Sequence, residues 1–152
     1  MNKRMPYCVL FVLFVTIFIT GCLGDKQPKV CFETTCLKVE IAQTNAELER
    51  GLQYRQSMPR DEGMLFVFPQ NVEAGFWMKN TLLPLDMIWL NESRRIVYIE
   101  KNAPPCLQEK CPVYGPKESI RYVLETNAGF ADATNLQVGQ EAKFLLVDKK
   151  TK

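Results

Sequence analysis

Two cysteine pairs set the tightest limit on what this chain can fold into. Cys31 and Cys36, and Cys106 and Cys111, each have four residues between their members. Such short loops close without help from the rest of the fold, so the simplest arrangement is two local disulfides, Cys31–Cys36 and Cys106–Cys111. The other two connectivities stay open. So does a four-thiolate zinc site, although structural zinc cysteines usually sit two residues apart within each pair. Neither pair has the Cys-x-x-Cys spacing of a redox motif.

An even set of cysteines reads as disulfides in an oxidising compartment, and the first segment directs the chain to one. Asn2, Lys3 and Arg4 make a positive start, an apolar run follows from Val9 to Ile19, and Ile19-Thr20-Gly21-Cys22 closes the segment. This is the build of a secretory signal peptide, and its last four residues resemble a prokaryotic lipoprotein lipobox. The resemblance implies cleavage after Gly21 and a diacylglycerol thioether on Cys22. The apolar run is shorter than the roughly 20 residues a spanning helix needs. Two acyl chains hold a protein firmly at a membrane, at about 0.8 kcal/mol per buried methylene. The expected organisation is a signal peptide at 1–21, a lipidated tether at 22–29 and one domain at 30–148. The expected location is extracytoplasmic, on a membrane through the N-terminal lipid.

Removal of residues 1–21 from the 152 takes Lys3 and Arg4 away and leaves every acidic residue, 17 in all, behind. The mature domain is then close to neutral. It has no basic block of five or more residues, so no nucleic-acid partner is expected. Histidine is absent from the chain. That excludes histidine general bases, Ser-His and Cys-His pairs and imidazole metal sites. No metal and no cofactor are expected.

Along the chain the signals are those of short strands. Val30 to Ala42 reads as a hairpin with a turn near Glu33 to Thr35, and Leu37-Lys38-Val39-Glu40-Ile41 alternates as a half-buried strand does. Thr44-Asn45-Ala46-Glu47 fits a capping box, so a short helix should follow and fail near Gly51. Met64 to Phe68 reads as an apolar strand stopped by Pro69, and Gly75 to Asn80 as another strand. Asp86 to Leu90 and Arg95 to Glu100 form a hairpin. A long loop from Lys101 to Lys117 carries four prolines and the second cysteine pair. Ile120 to Glu125 resumes strand, with Ile120, Tyr122 and Leu124 on one face and Arg121, Val123 and Glu125 on the other. Ala128 to Asn135 is a loop or one helical turn, and Glu141 to Val147 is a last strand. The class is mainly β: a compact single-domain sandwich or barrel, jelly-roll-like, with one short helix.

Three segments then carry a resemblance: Glu49-Arg50-Gly51-Leu52-Gln53-Tyr54-Arg55; Gly63-Met64-Leu65-Phe66-Val67-Phe68; and Phe76-Trp77-Met78-Lys79-Asn80-Thr81 with Leu83-Pro84-Leu85-Asp86. Tyr122-Val123-Leu124-Glu125 and Ala128-Gly129 continue it. From Leu37 to Val147 the chain resembles the family catalogued as domain of unknown function 192, or UPF0127. Gln53 stands where many members carry methionine. The resemblance implies a compact β-sandwich or jelly-roll-like domain, often exported, and implies no activity.

Candidate site residues follow from residue type. Asp86 interrupts an apolar run, and a carboxylate there is costly unless paired or hydrogen-bonded. It either caps a turn or pairs with Lys79 or an arginine; alternatively Lys79, Asn80 and Asp86 form a polar spot in an aromatic-walled pocket with Trp77. Arg50 and Arg55 flank the helix end, and either could hold a carboxylate bidentately, Glu125 being a candidate. Left unpaired, Arg55 with Lys79 would favour an anionic ligand. Trp77, Phe76, Phe66 and Phe68 are most simply core. The loop with Pro104, Pro105, Cys106, Cys111, Pro112 and Pro116 is either partner-facing or a tied connector over a sheet edge.

The sequence therefore reads as a membrane-anchored binding or interaction module with a small pocket near Trp77, Lys79, Asn80, Asp86 and Arg55, its partner an unknown small ligand or envelope protein. The rivals are an envelope hydrolase using Asp86 and Glu125, which would need two carboxylates about 5–10 Å apart across a cleft, and a purely structural envelope protein.

Overall fold

The structure is a computed structural model that describes residues 27–33 and 35–145. The signal segment, Cys22, the tether as far as Lys26, and residues 146–152 lie outside the described residues.

The chain opens with the expected hairpin, β1 (Lys29–Phe32) and β2 (Thr35–Ala42). Cys31 and Cys36 stand directly opposite each other across it and are joined as a disulfide. The capping box forms as read. Thr44 accepts from the Glu47 amide, the Glu47 carboxylate accepts from the Thr44 amide, and α1 (Asn45–Arg50) ends at Gly51 with φ 47°. This helix carries the chain over to β3 (Glu62–Val72), which pairs parallel with β2.

Three further strands complete the sheet's other half: β5 (Leu85–Leu90), β6 (Ile96–Ala103) and β8 (Ile120–Asn127). Between them come β4 (Phe76–Trp77) and β7 (Val113–Tyr114), a small separate ribbon. A single turn of helix, α2 (Phe130–Ala133), precedes β9 (Lys143–Leu145). The seven-stranded order is β6-β5-β8-β3-β2-β1-β9. The segment leading into β9 reaches across to the start of β6. Ile96 N donates to Gln140 O at 2.9 Å, Gly139 N to Ile96 O at 2.8 Å and Ala142 N to Arg94 O at 2.9 Å. The two ends of the sheet order thus meet, and the sheet curls into a partly closed barrel.

Side-chain alternation divides the apolar residues between the two faces of this sheet. Leu37, Val39, Leu65, Ile88, Leu90 and Leu124 point to one face, where Ala131 and Leu136 pack with them. Met64, Phe66, Leu85, Met87, Trp89 and Val123 point to the other. The second face is roofed by α1 and its following turn, by β4–β7 and by the segment around Met78 and Cys106.

Several expectations need correction. Pro69 does not stop β3. Pairing with β8 slips there, from Val67↔Tyr122 to Val72↔Ile120, which is how a strand absorbs a proline that cannot donate to the ladder. The slip also moves Ile120 to the Val123 side instead of the Tyr122 and Leu124 side. Gly75 to Asn80 yields only the two residues of β4. The Lys101–Lys117 segment is less of a loop than its prolines imply: β6 claims its start and β7 pairs with β4. Its Cys106 backbone bonds to Met78 and Asn80, and Cys106–Cys111 is closed. With both bridges made, these four cysteines offer no thiolates for the zinc alternative.

A cleft floored by a buried glutamate

On the roofed face, a cleft of about 310 Å³ opens between the end of α1, β3, β4 and β8. The capping box and the Gly51 turn bring Leu48 and Leu52 to one wall. Phe76 and Trp77 make the opposite wall, Phe66 and Phe68 rise from β3, and Glu125 lies at the floor. Phe76 packs edge-on against Phe66, with ring centroids 4.9 Å apart, and against Trp89 at 5.9 Å. These T-shaped contacts fix the aromatic wall.

Glu125 sits opposite Met64 on one side and Met87 on the other, so thioethers and rings surround its stem. The residue is 5% exposed, and burial pushes its carboxyl up to about 8. At neutral pH it is therefore mostly the uncharged acid, a hydrogen-bond donor as well as an acceptor. Among the described residues no side chain or backbone group hydrogen-bonds to this carboxyl, yet none of its oxygens is sealed away from the surface. It opens into the cleft. The Thr81 hydroxyl, on a residue also 5% exposed and lining the same cleft, is in the same position.

Charge lies at the rim. Lys79 Nζ stands 5.5 Å from the centre of the Trp77 ring, a cation–π contact, and Arg50 and Glu49 flank the opposite lip. Gly63 is what lets the floor form. A Cβ there would lie 2.6 Å from the Glu125 carbonyl oxygen, so only glycine permits β3 and β8 to approach at this point.

The predicted site residues fall into two groups. Trp77 and Lys79 line the cleft, and Trp77, expected in the core, is 53% exposed. Its place on a two-residue ribbon leaves its outer side uncovered. Asn80 stands just behind as a brace. It adopts φ 57°, its Nδ2 donates to Gln53 Oε1 at 3.2 Å, and its carbonyl accepts from Tyr54 N at 2.8 Å.

Asp86 and Arg55 do not join them. Asp86 is fully buried on the opposite face of the sheet, where Oδ1 accepts from Asn102 N at 2.9 Å and Oδ2 from Ala131 N at 2.8 Å. Its partners are backbone amides, as the turn-capping alternative has it, and not Lys79 or an arginine. Arg55 forms a two-pronged ion pair with Glu40, at 2.6 Å for the Nη1 contact, instead of reaching Glu125. That pair holds the Glu40 carboxyl below its ordinary range.

Sequence reasoning gave Glu125 the wrong partner and missed Thr81. The signal was present: Glu125 follows Tyr122-Val123-Leu124 in a strand, and the argument applied to a carboxylate in the apolar run around Asp86 applies equally there.

Fold and site together define a class: a curled β-sheet domain carrying a small aromatic cleft with an acid at its floor. The chain belongs to the DUF192 family, described as an uncharacterized ACR, whose pattern it matches over residues 29–144. It is similar to a UPF0127 protein of Thermococcus gammatolerans, 29% identical over 116 residues covering 75% of this chain and 71% of the relative. A UPF0127 protein of Thermococcus sibiricus is 26% identical over 75% of this chain and 70% of its own. Among solved structures, a protein of Sinorhizobium meliloti 1021 described as a proposed transcription regulator superposes with a TM-score of 0.69. It is 34% identical, over 78% of this chain and 92% of its own. A protein of unknown function from Novosphingobium aromaticivorans also has a TM-score of 0.69, at 30% identity over 77% and 83%.

Proposed function

We propose that this protein is a small-ligand binding module held at the outer surface of a membrane by a lipid on Cys22. One observation carries the binding role: two buried polar groups, the Glu125 carboxyl and the Thr81 hydroxyl, lack protein partners and open into one aromatic cleft. Polar groups of nearly buried residues that no protein group engages, and that a mostly apolar cavity reaches, are the kind of placed polar contact a ligand site carries. The location rests on the signal-like residues 1–22 and on two disulfides, which persist in oxidising compartments.

The hydrolase alternative loses its expected pair of acids. Asp86 and Glu125 lie on adjacent strands but face opposite sides of the sheet, and Asp86 already accepts two amide hydrogens. No regulator role by direct DNA contact is drawn from the Sinorhizobium relative, because the mature chain balances its charges and has no basic block.

Two experiments test the reading. Expression of the full chain with labelled palmitate should give a lipidated product that disappears in Cys22→Ala; an unlabelled wild type would overturn the anchor. Amide spectra of the mature domain titrated with small organic compounds should show shifts at Gly51, Trp77 and Thr81. Shifts elsewhere only, across acids, amines and neutral polyols, would overturn the cleft as the binding site.

A further inference from the structure

We propose that the cleft takes a small amphipathic organic acid, with a hydroxyl or carbonyl at one end, an apolar body, and a carboxylate at the other. This inference rests on the binding reading above and adds the chemistry of the ligand.

The cleft has three zones, each asking for one part of such a molecule. Its floor offers the Glu125 carboxyl and the Thr81 hydroxyl, two groups that can both donate and accept. A hydroxyl or carbonyl satisfies both at once. The middle is apolar, walled by Leu48, Leu52, Phe66, Phe68 and Phe76. The rim carries Lys79, held over Trp77, and Arg50, against the single acid Glu49. The other charges on this face, Glu40 and Arg55, engage each other. A free amine would meet two cations at the entrance and an uncharged acid at the floor. An organic anion meets the opposite.

The floor makes the affinity pH-dependent. The uncharged Glu125 donates a proton into a hydrogen bond with the ligand's inner oxygen. Once ionised, it can only accept, and it repels an acceptor. The charged groups around it are Glu49 and Arg50 at the end of α1, Lys79 just after β4, and the mutually paired Glu40 and Arg55 on the β2 side; Met64 and Met87 on the flanking strands carry no charge. With the carboxyl pushed up to about 8, binding of an acceptor weakens about tenfold per pH unit above that point.

Three matched probes separate the possibilities, each titrated into the disulfide-intact mature domain and followed by Trp77 emission and amide shifts. 4-Hydroxyphenylacetate carries both polar ends, phenylacetate lacks the inner hydroxyl, and tyramine replaces the carboxylate with an ammonium. The expected result is that 4-hydroxyphenylacetate binds tightest at pH 7, and that its ketone analogue 4-acetylphenylacetate, which can only accept at the floor, weakens roughly thirtyfold between pH 7 and pH 9.5. Glu125→Gln should keep binding within a few-fold and lose that pH dependence, because an amide still donates. Lys79→Met should weaken 4-hydroxyphenylacetate about tenfold at pH 7 while leaving the folded spectrum intact. Preference for tyramine, or a 4-acetylphenylacetate affinity that tightens as pH rises, would overturn the acid class and leave the cleft standing as a ligand site. Equal binding of all three probes at all pH values would also overturn it. No shift at Gly51, Trp77 or Thr81 with any of them would overturn both readings.

Discussion

Replacing Glu125 with glutamine tests the electrostatics of the cleft floor without any ligand. The carboxyl titrates near 4.5 in the unfolded chain and at about 8 in the fold. Because the folded value is the higher one, the native state holds this proton more tightly than the unfolded chain does. Stability associated with it is complete below pH 4.5, declines as pH rises, and is lost by the time pH has passed through 8. A difference of this size is worth about 5 kcal/mol at roughly 1.4 kcal/mol per unit. Glutamine keeps the shape and never ionises. Urea denaturation of both proteins, disulfides intact, from pH 4.5 to pH 9.5 should therefore show a stability difference that grows in favour of Glu125→Gln up to about pH 8 and then levels. The absolute offset also contains the amide's own unmet hydrogen bonds, so the pH dependence of the difference is the quantity that counts. A difference constant to within about 0.5 kcal/mol over that range would refute the assignment of a buried, unpartnered acid.

Asp86→Asn should cost about 3 kcal/mol, because asparagine offers one acceptor where two buried amide hydrogens, from Asn102 and Ala131, need one each. Its effect on probe binding in the cleft should be within twofold, which titration at saturating stability conditions measures. Glu40→Gln should cost no more than about 1 kcal/mol, since both partners of the Arg55 pair are partly exposed. Here the folded pKa is lowered, so the contribution is present above the unfolded value and is lost as pH falls through the folded one; denaturation at pH 7 and pH 3 should find the variant's deficit only at the former. Removing Cys106–Cys111 by paired serine substitution should lower stability by about 2 kcal/mol. Because Cys106 bonds to the backbone of Met78 and Asn80 on either side of Lys79, it should also loosen the rim, read as a changed Trp77 emission.

What was legible in the sequence is what local chemistry decides. The capping box fixes α1 because Thr44 and Glu47 satisfy each other's backbone amides whatever surrounds them. The Cys31–Cys36 bridge follows from a hairpin in which those two positions face each other. The β5–β6 and β8 strands declare themselves through apolar period and turn residues. The site was legible only in part because it is assembled from four elements far apart in sequence. Trp77 and Lys79 could be nominated by type, but their exposure depends on how little of the sheet β4 joins. Arg55 could be matched to a carboxylate such as Glu125 by type alone; the fold sets Glu40 of β2 against it instead.

Asp86 and Glu125 show how far residue type alone can mislead, and what corrects it. Both are carboxylates in apolar strands, on neighbouring strands and one register step apart, since Asp86 lies opposite Thr126 and Met87 opposite Glu125. That single step sends them to opposite faces. On its face Asp86 meets two backbone amides, from the β6 end and from α2, and becomes a joint between elements. On the other face Glu125 meets methionines, phenylalanines and an opening. A fold has use for the first arrangement as such, because removing the carboxylate would orphan two amides. It has no such use for the second. Methionine or leucine at position 125 would pack between Met64 and Met87 at no electrostatic cost. An acid kept where stability gains nothing from it marks a position occupied for the sake of what comes into contact with it. On this argument Glu125→Leu should stabilise the domain above pH 8 and abolish binding of 4-hydroxyphenylacetate. If the leucine variant still bound the probe with unchanged affinity, the acid would have no function in the cleft.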